Sequence, residues 1–145
     1  MKPTYEDCIY AAGFFDGEGC VHIRGESNSF ALSITVSQTS RPVLKWIQLR
    51  WGGNFRPRTG KPKNNNQRWR HKWTTGGWNA LIFLQDIYPY LIVKQAEVKI
   101  GIQLQTSKRK DIIDAHGYTP TEISKFRALR EEVLSQPGRG RKSLP

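Results

Sequence analysis

Between Ser27 and Gln85 the sequence has no carboxylate at all, although ten cations fall there: Arg41, Lys45, Arg50, Arg56, Arg58, Lys61, Lys63, Arg68, Arg70 and Lys72. Ordinary protein surfaces intersperse both signs, so this segment reads as the electrostatic footprint of a polyanionic partner. The flanks are milder: residues 1–26 carry two cations against five carboxylates, and residues 86–145 carry eleven against seven. Cysteine is scarce as well. Cys8 and Cys20 form no C-x-x-C pair and have no histidine at ligand spacing, which excludes a disulfide framework and the common zinc motifs. Both are expected to be free thiols in a reducing compartment. No apolar run is long enough to cross a bilayer, and the start, Met1-Lys2-Pro3-Thr4-Tyr5-Glu6-Asp7, lacks an apolar signal core. A soluble intracellular protein is expected. No internal repeat is visible, and no basic amphipathic helix favours a membrane surface over nucleic acid.

What is present suits one compact domain. The chain has 145 residues and a net charge of +11, and its hydrophobic share of 37%, modest for a globular protein, is bulked out by five Trp, five Tyr and six Phe. A core of that size is of modest stability, and oligomerisation would bury more surface. We place the domain at residues 1–136 and expect the basic, Gly- and Pro-bearing tail 137–145 to be disordered.

Apolar spacing at Tyr5, Cys8, Ile9, Ala12 and Phe15 predicts a first helix, ending near Asp16-Gly17-Glu18-Gly19. Val21 and Ile23 alternate with His22 and Arg24 as a short strand, and Glu26-Ser27-Asn28-Ser29 reads as a turn. In the next strand Phe30, Leu32, Ile34 and Val36 share one face while Ala31, Ser33, Thr35 and Ser37 share the other. Arg41-Pro42 opens a helix through Val43, Ile47 and Trp51, stopped by Gly52-Gly53. Residues 54–58 and 67–75 read as a hairpin, with Arg68, Arg70 and Lys72 on one face and Trp69, His71 and Trp73 on the other. The tryptophans are expected in the core, His71 on the core side or at a sheet edge, and His116 in a loop. Trp78–Leu84 reads as helix, Tyr88-Pro89-Tyr90 as a break, and Leu91–Thr106 as a longer helix. Thr119-Pro120-Thr121-Glu122 has the form of a capping box opening a last helix to about Leu134. The order predicts an α+β domain with a four-stranded antiparallel sheet.

The run Ala11-Ala12-Gly13-Phe14-Phe15-Asp16-Gly17-Glu18-Gly19, on a helix entering a strand, resembles the motif of the LAGLIDADG homing endonucleases. The likeness extends to Val36-Ser37-Gln38, to Arg56-x-Arg58 and to Tyr90-Leu91-x-x-Lys94-Gln95, covering roughly the first hundred residues. It implies an αββαββα fold whose sheet lies along DNA. It also implies a homodimer, because a single motif per chain must be paired to cut both strands. The reaction implied is phosphodiester hydrolysis with Mg²⁺ or Mn²⁺ at a long, near-palindromic site.

Residue by residue, the resemblance gives Glu18 and the Gly17 carbonyl as metal ligands. Glu18 supplies a hard oxygen donor of the kind Mg²⁺ takes, where the family more often has Asp. Lys94 falls on the active-site lysine, Gln38 on a water-positioning residue, and Arg41 stands near the phosphate while Pro42 takes the place of a basic residue. Small residues Ala12, Gly13 and Gly17, with hydrogen bonding by Asp16, are assigned to the contact between paired helices. The open sheet face nominates His22, Arg24, Ser33, Thr35, Arg56, Arg58, Arg68, Arg70 and Lys72 for DNA contact. The arginines are suited to forked contacts with guanine, and Lys61 and Lys63 to phosphates. Two other classes compete: a non-cleaving regulator or RNA intron maturase on the same fold, and a basic structural RNA-binding protein. Retention of Glu18 and Lys94 argues against the first, and aromatics placed inside by strand parity argue against the second. Double-stranded DNA is thus the expected partner, ahead of RNA, with no membrane.

Overall fold

The computed structural model describes residues 1–26, 29–58, 70–108 and 118–136. In chain order the elements are α1 (Tyr5–Glu18), β1 (Gly19–Glu26), β2 (Ser29–Gln38), α2 (Arg41–Trp51), β3 (Asn54–Arg56), β4 (His71–Gly76), α3 (Gly77–Ile87), a 3₁₀ turn (Tyr88–Tyr90), α4 (Gln95–Thr106) and α5 (Pro120–Leu134). The strands form one antiparallel sheet in the order β1-β2-β4-β3. This is the α+β, αββαββα arrangement with four antiparallel strands. Lys61, Lys63, Arg68, Trp69, His116 and the tail 137–145 lie outside the described residues.

The alternation in β2 translates directly into packing. Phe30, Leu32, Ile34 and Val36 are buried, and Val21, Ile23 and Trp73 join them from β1 and β4. Helices α1, α3 and α4 cover this face. Phe83 of α3 is the hub, with ring centroids 5.7 Å from Phe15, 5.1 Å from Trp51 and 5.1 Å from Trp73. Each buried indole finds an acceptor: Trp73 Nε1 donates to the Gly52 carbonyl at 2.8 Å and Trp51 Nε1 to Asp86 at 2.9 Å. Gly52 and Gly53 have φ of 73° and 85°, so α2 can stop sharply and feed β3, which a side-chain-bearing residue would resist. A Cβ at Gly101 would lie 3.1–3.3 Å from Leu32, Leu84 and Val21, so this glycine lets α4 settle closely on the sheet.

Two helix starts are capped as boxes. Thr4 Oγ1 accepts from Asp7 N–H while the Asp7 carboxylate accepts from Thr4 N–H, and Thr119 and Glu122 do the same for α5. The Thr4 hydrogen bond, with help from Arg50, holds the Asp7 carboxyl below its usual range. Arg50 Nε lies 2.9 Å from Asp7, and its guanidinium sits over Trp46, tying α2 to α1. Helix α5 lies against β1 and β2, where Arg130 Nε donates to the Ile23 carbonyl at 3.1 Å and Phe126 packs near Phe30.

Three expectations need correction. The buried stripe of α1 is Ala11, Ala12 and Phe15, with Cys8 half-buried; Tyr5 and Ile9 face outward. The spacing admitted either side of the helix, and the smaller residues went inside because α1 approaches the sheet closely. Helix α4 begins at Gln95, not Leu91. The Asp16 carboxylate accepts from the N–H groups of Ile92, Val93 and Lys94 at 2.8, 3.1 and 2.9 Å, and this bonding holds the segment ahead of the helix in a non-helical course. Arg70 precedes β4 and does not belong to its ladder, which starts with the pair Gln38↔His71.

Two substitutions test these joints. A Cβ at Gly19 would collide with the fully buried ring of Phe15, so Gly19→Ala should cost about 1–3 kcal/mol in urea unfolding. A midpoint equal to wild type would show that the α1–β1 joint has slack. Asp16→Ala removes the acceptor for three amides and should cost about 1–2 kcal/mol, with faster hydrogen exchange at Ile92, Val93 and Lys94. Unchanged exchange there would count against this bonding.

Candidate nucleic-acid interface and active site

The sheet face away from the helices is open and cationic. His22, Arg24, Arg56, Arg58 and Lys72 are exposed, with Ser33 and Thr35 half-buried among them. Register brings them into rows: His22 pairs with Ser33, while Lys72 lies between Ser37 on β2 and Arg56 on β3. Two cations directly opposed across antiparallel strands repel each other, a cost that a polyanion laid over the sheet would offset. His22, Arg24, Ser33, Thr35, Arg56, Lys72, Thr74 and Arg130 help line a concave recess of about 430 Å³. Thr74 and Arg130 were not among the residues nominated from the sequence. Thr74 shares strand parity with Lys72 and was legible in principle, whereas Arg130 reaches the recess only through the packing of α5.

The remaining cations of the acid-free segment divide by structure. On α2, Arg41 and Lys45 lie over the Phe55 ring at 5.8 and 4.4 Å, and Arg50 is paired with Asp7 as above. Arg41 is thus stacked on an aromatic ring in the free chain. The Arg58 backbone N–H donates to His71 Nδ1 at 3.0 Å, so the acceptor nitrogen of this buried imidazole is Nδ1. His71 sits on the core side, as strand parity predicts.

At the end of α1 the two acidic residues of the motif diverge. Asp16 binds the 92–94 segment and so anchors Lys94, the N-cap residue of α4, which is half-buried. Glu18 faces the start of β4: its Oε2 accepts from Arg70 Nη2 at 2.8 Å, and the same nitrogen donates to the Ser37 carbonyl at 2.9 Å. Gln38 is next in the chain, its Oε1 accepting from Thr39 N–H at 2.7 Å and Thr39 Oγ1 at 3.0 Å. Glu18 and Arg70 therefore meet at the end of β2, where Gln38 is the last strand residue and its amide oxygen is turned to Thr39. Arg70, assigned from the sequence to the base-reading face, has its guanidinium on Glu18 instead.

The donor set at this corner suits a hard divalent cation. Helix α1 has no basic residue in its last turn, so the negative end of its dipole and the Glu18 carboxylate both favour positive charge there. The Arg70 guanidinium on Glu18 shows that this carboxylate is open to a cationic partner. No group of three or more His, Cys, Asp or Glu side chains capable of holding a metal occurs among the described residues. One carboxylate and backbone carbonyls match the way Mg²⁺ is held, with water and substrate phosphates completing its shell.

Of the helix-contact residues, Gly13 and Gly17 are open: a Cβ on either meets nothing within 4 Å. Ala12 corrects the expectation, because it is fully buried in this chain's own core and cannot touch a second helix. The Asp16 carboxylate is likewise engaged within the chain. Burial and the nearby Asp86 and Asp7 push the Cys8 thiol up, which makes it a poor nucleophile. No described helix is long and apolar enough to cross a membrane.

No protein-family model and no curated protein sequence matches the chain. Solved structures do. The homing endonuclease I-CvuI, crystallised with its target in the presence of Ca, is 25% identical, with a TM-score of 0.69 over 97% of this chain and 88% of that one. The archaeal intron-encoded homing endonuclease I-Vdi141I, complexed with DNA, is 16% identical, with a TM-score of 0.69 over 94% and 89%. The LAGLIDADG meganuclease I-AabMI, bound to uncleaved DNA, is 17% identical with a TM-score of 0.64, and there this chain spans 43% of the other's length. With the motif on α1, the four-stranded sheet beneath it and near end-to-end agreement with I-CvuI, this chain shares the fold of the LAGLIDADG homing endonucleases, and its coverage of I-CvuI fits the single-motif, single-domain type.

Proposed function

We propose that the chain is a homodimeric, site-specific endonuclease that cuts double-stranded DNA with Mg²⁺ or Mn²⁺ at a long, near-palindromic target. The observation that carries this reading is the placement of Glu18. The motif helix delivers this carboxylate to the end of an open, cationic sheet face, beside Arg70 and the end of β2. The sheet suits a DNA groove in shape and charge, since a two-stranded antiparallel ribbon fits the major groove. I-CvuI and I-Vdi141I, which share the fold, were crystallised with DNA.

In this reading Glu18 and the Gly17 carbonyl hold the divalent cation, which would supply an activated water and neutralise phosphate charge. Gln38 orients water at the end of β2. Lys94, steadied through its backbone by Asp16, presents its ammonium to phosphate charge. Arg41 can leave the Phe55 ring for a phosphate. Arg24, Arg56, Arg58 and Lys72, with His22, Ser33 and Thr35, contact DNA across the open face, and Lys61, Lys63 and Arg68 add contacts from the β3–β4 connection. Retention of both Glu18 and Lys94 favours cutting over a purely regulatory or maturase role.

The dimer reading rests on the outer side of α1. Glycine inside a helix costs about 1 kcal/mol relative to alanine, yet among the described residues a Cβ at Gly13 or Gly17 would meet nothing within 4 Å. Close approach of a second α1 requires them. Exposed Ile9 on α1 and the Ile92–Val93 tip held by Asp16 offer apolar surface nearby for that contact.

The direct test is incubation with Mg²⁺ and a library of near-palindromic duplexes, followed by sequencing of cut ends. Glu18→Gln should abolish cutting while leaving duplex binding in Ca²⁺ largely intact; cutting near the wild-type rate would displace Glu18 from the active site. Gly13→Leu should yield monomer or insoluble protein in sedimentation at micromolar concentration, where the wild type should be dimeric. A wild type that stays monomeric with and without DNA would remove the homodimer.

A further inference from the structure

We propose that Arg70 belongs to the cleavage centre and not to the base-reading surface: it occupies Glu18 in the free protein and passes to a DNA phosphate when a divalent cation takes the carboxylate. This deepens the nuclease reading and rests on it.

Three observations lead there. First, Arg70 Nη2 donates both to Glu18 and to the Ser37 carbonyl. The group is therefore seated at the corner where the motif helix ends. Second, Arg70 precedes the β4 ladder, which begins at His71, so it lacks the fixed strand spacing that aims Lys72 and Arg56 outward. Third, the pair is accessible, with Arg70 and Glu18 side chains 52% and 34% exposed. An exposed ion pair of this kind is weak, so a divalent cation aided by the end of α1 can displace it.

Once displaced, Arg70 cannot remain close to the cation without repulsion. A phosphate oxygen brought to the same corner offers it a bidentate anionic partner. The exchange moves the guanidinium from the protein carboxylate to a nucleic-acid phosphate, while the divalent cation takes over the carboxylate. Arg70 then acts on the reacting phosphate while contributing nothing to base choice.

The test separates this from the nuclease reading. Wild type and Glu18→Gln are assayed for cutting in parallel with Arg70→Ala and Arg70→Lys. Mn²⁺ is titrated into each DNA-free protein, with paramagnetic broadening of the Gly17 and Glu18 amide resonances as the readout. Arg70→Ala should bind Mn²⁺ about two- to fivefold more tightly than wild type, the range an exposed competing pair accounts for. With target duplex in Ca²⁺, Arg70→Ala should bind more weakly and lose about one phosphate contact from its salt slope. Its cleavage should be slower with an unaltered preference at every base pair, and Arg70→Lys should restore the salt slope. Relaxed preference at particular base pairs, or unchanged Mn²⁺ affinity together with an unchanged salt slope, would overturn the proposal while Glu18-dependent cutting stood. Absence of cutting by the wild type, or cutting by Glu18→Gln, would instead strike the nuclease reading itself.

Discussion

Helix α1 runs into β1 without an intervening loop: Glu18 is the last helical residue and Gly19 the first of the strand. The joint is possible because the chain at Gly19 passes directly over the Phe15 ring, where no side chain fits. Everything functional is referenced to this joint. A helix advances about 1.5 Å per residue and turns about 100°, so carboxylates two positions apart point to widely different sides. Asp16 meets the segment leading into α4, and Glu18 meets the end of β4. Had the chain entered a flexible turn after Phe15, neither carboxylate would hold a fixed partner. The same rigid step places Gly13 and Gly17 along the outer side of α1, where none of the described residues packs against them.

The two faces of the sheet carry opposite burdens. Inside, Phe83 gathers Phe15, Trp51 and Trp73, and the indole nitrogens that such a cluster buries are matched to Gly52 and Asp86. That matching matters, because an unpaired buried donor costs about 1–3 kcal/mol. Outside, Lys72 stands opposite Arg56, an arrangement that lowers the stability of the isolated chain. The strands tolerate it because their inner side chains, Trp73 foremost, fix the register independently of charge. Local strain of this sort tends to concentrate where a partner later relieves it. The cations of α2 follow a different rule: Arg41, Lys45 and Arg50 lie on aromatic rings, so part of the chain's positive charge is spent on its own structure.

How much of this was legible depended on whether the governing contact was local. The alternation Phe30–Val36 decides β2 unaided, because period two leaves only one way to bury four large side chains. Thr119 and Glu122 announce a helix start three residues apart. Fold class and strand count followed from such signals and from the motif's likeness to a known family. The errors fall where a distant residue intervened. Spacing alone allowed Tyr5 and Ile9 inside α1, but the proximity of the sheet favoured Ala11 and Ala12. Hydrophobic periodicity from Leu91 onward looked helical, yet a carboxylate 76 residues earlier in the chain captured the amides ahead of the helix. Strand parity grouped Arg70 with Lys72, although parity has no force one residue beyond the ladder. Arg130 had no signal at all, since its place at the recess is set by how α5 docks on β1.

Electrostatics then links the motif to the acid-free stretch that follows it. From Ser27 to Gln85 the chain contributes only positive charge, so a duplex laid on the sheet meets no carboxylate from β2, α2, β3 or β4. Glu18 lies just ahead of that stretch, at the negative end of a helix dipole. Without a cation, a phosphate approaching it would be repelled by both. In the free chain Arg70 offsets that repulsion, but a single guanidinium cannot neutralise a carboxylate, a helix terminus and a phosphate at once. A divalent cation held by Glu18 would add the positive charge this corner lacks, and in the proposed reading the guanidinium would then be available to phosphate. The scarcity of acidic groups from Ser27 to Gln85 thus gives Glu18 its weight: it is a carboxylate at the end of a helix, at the edge of a cationic face, and already paired with a guanidinium.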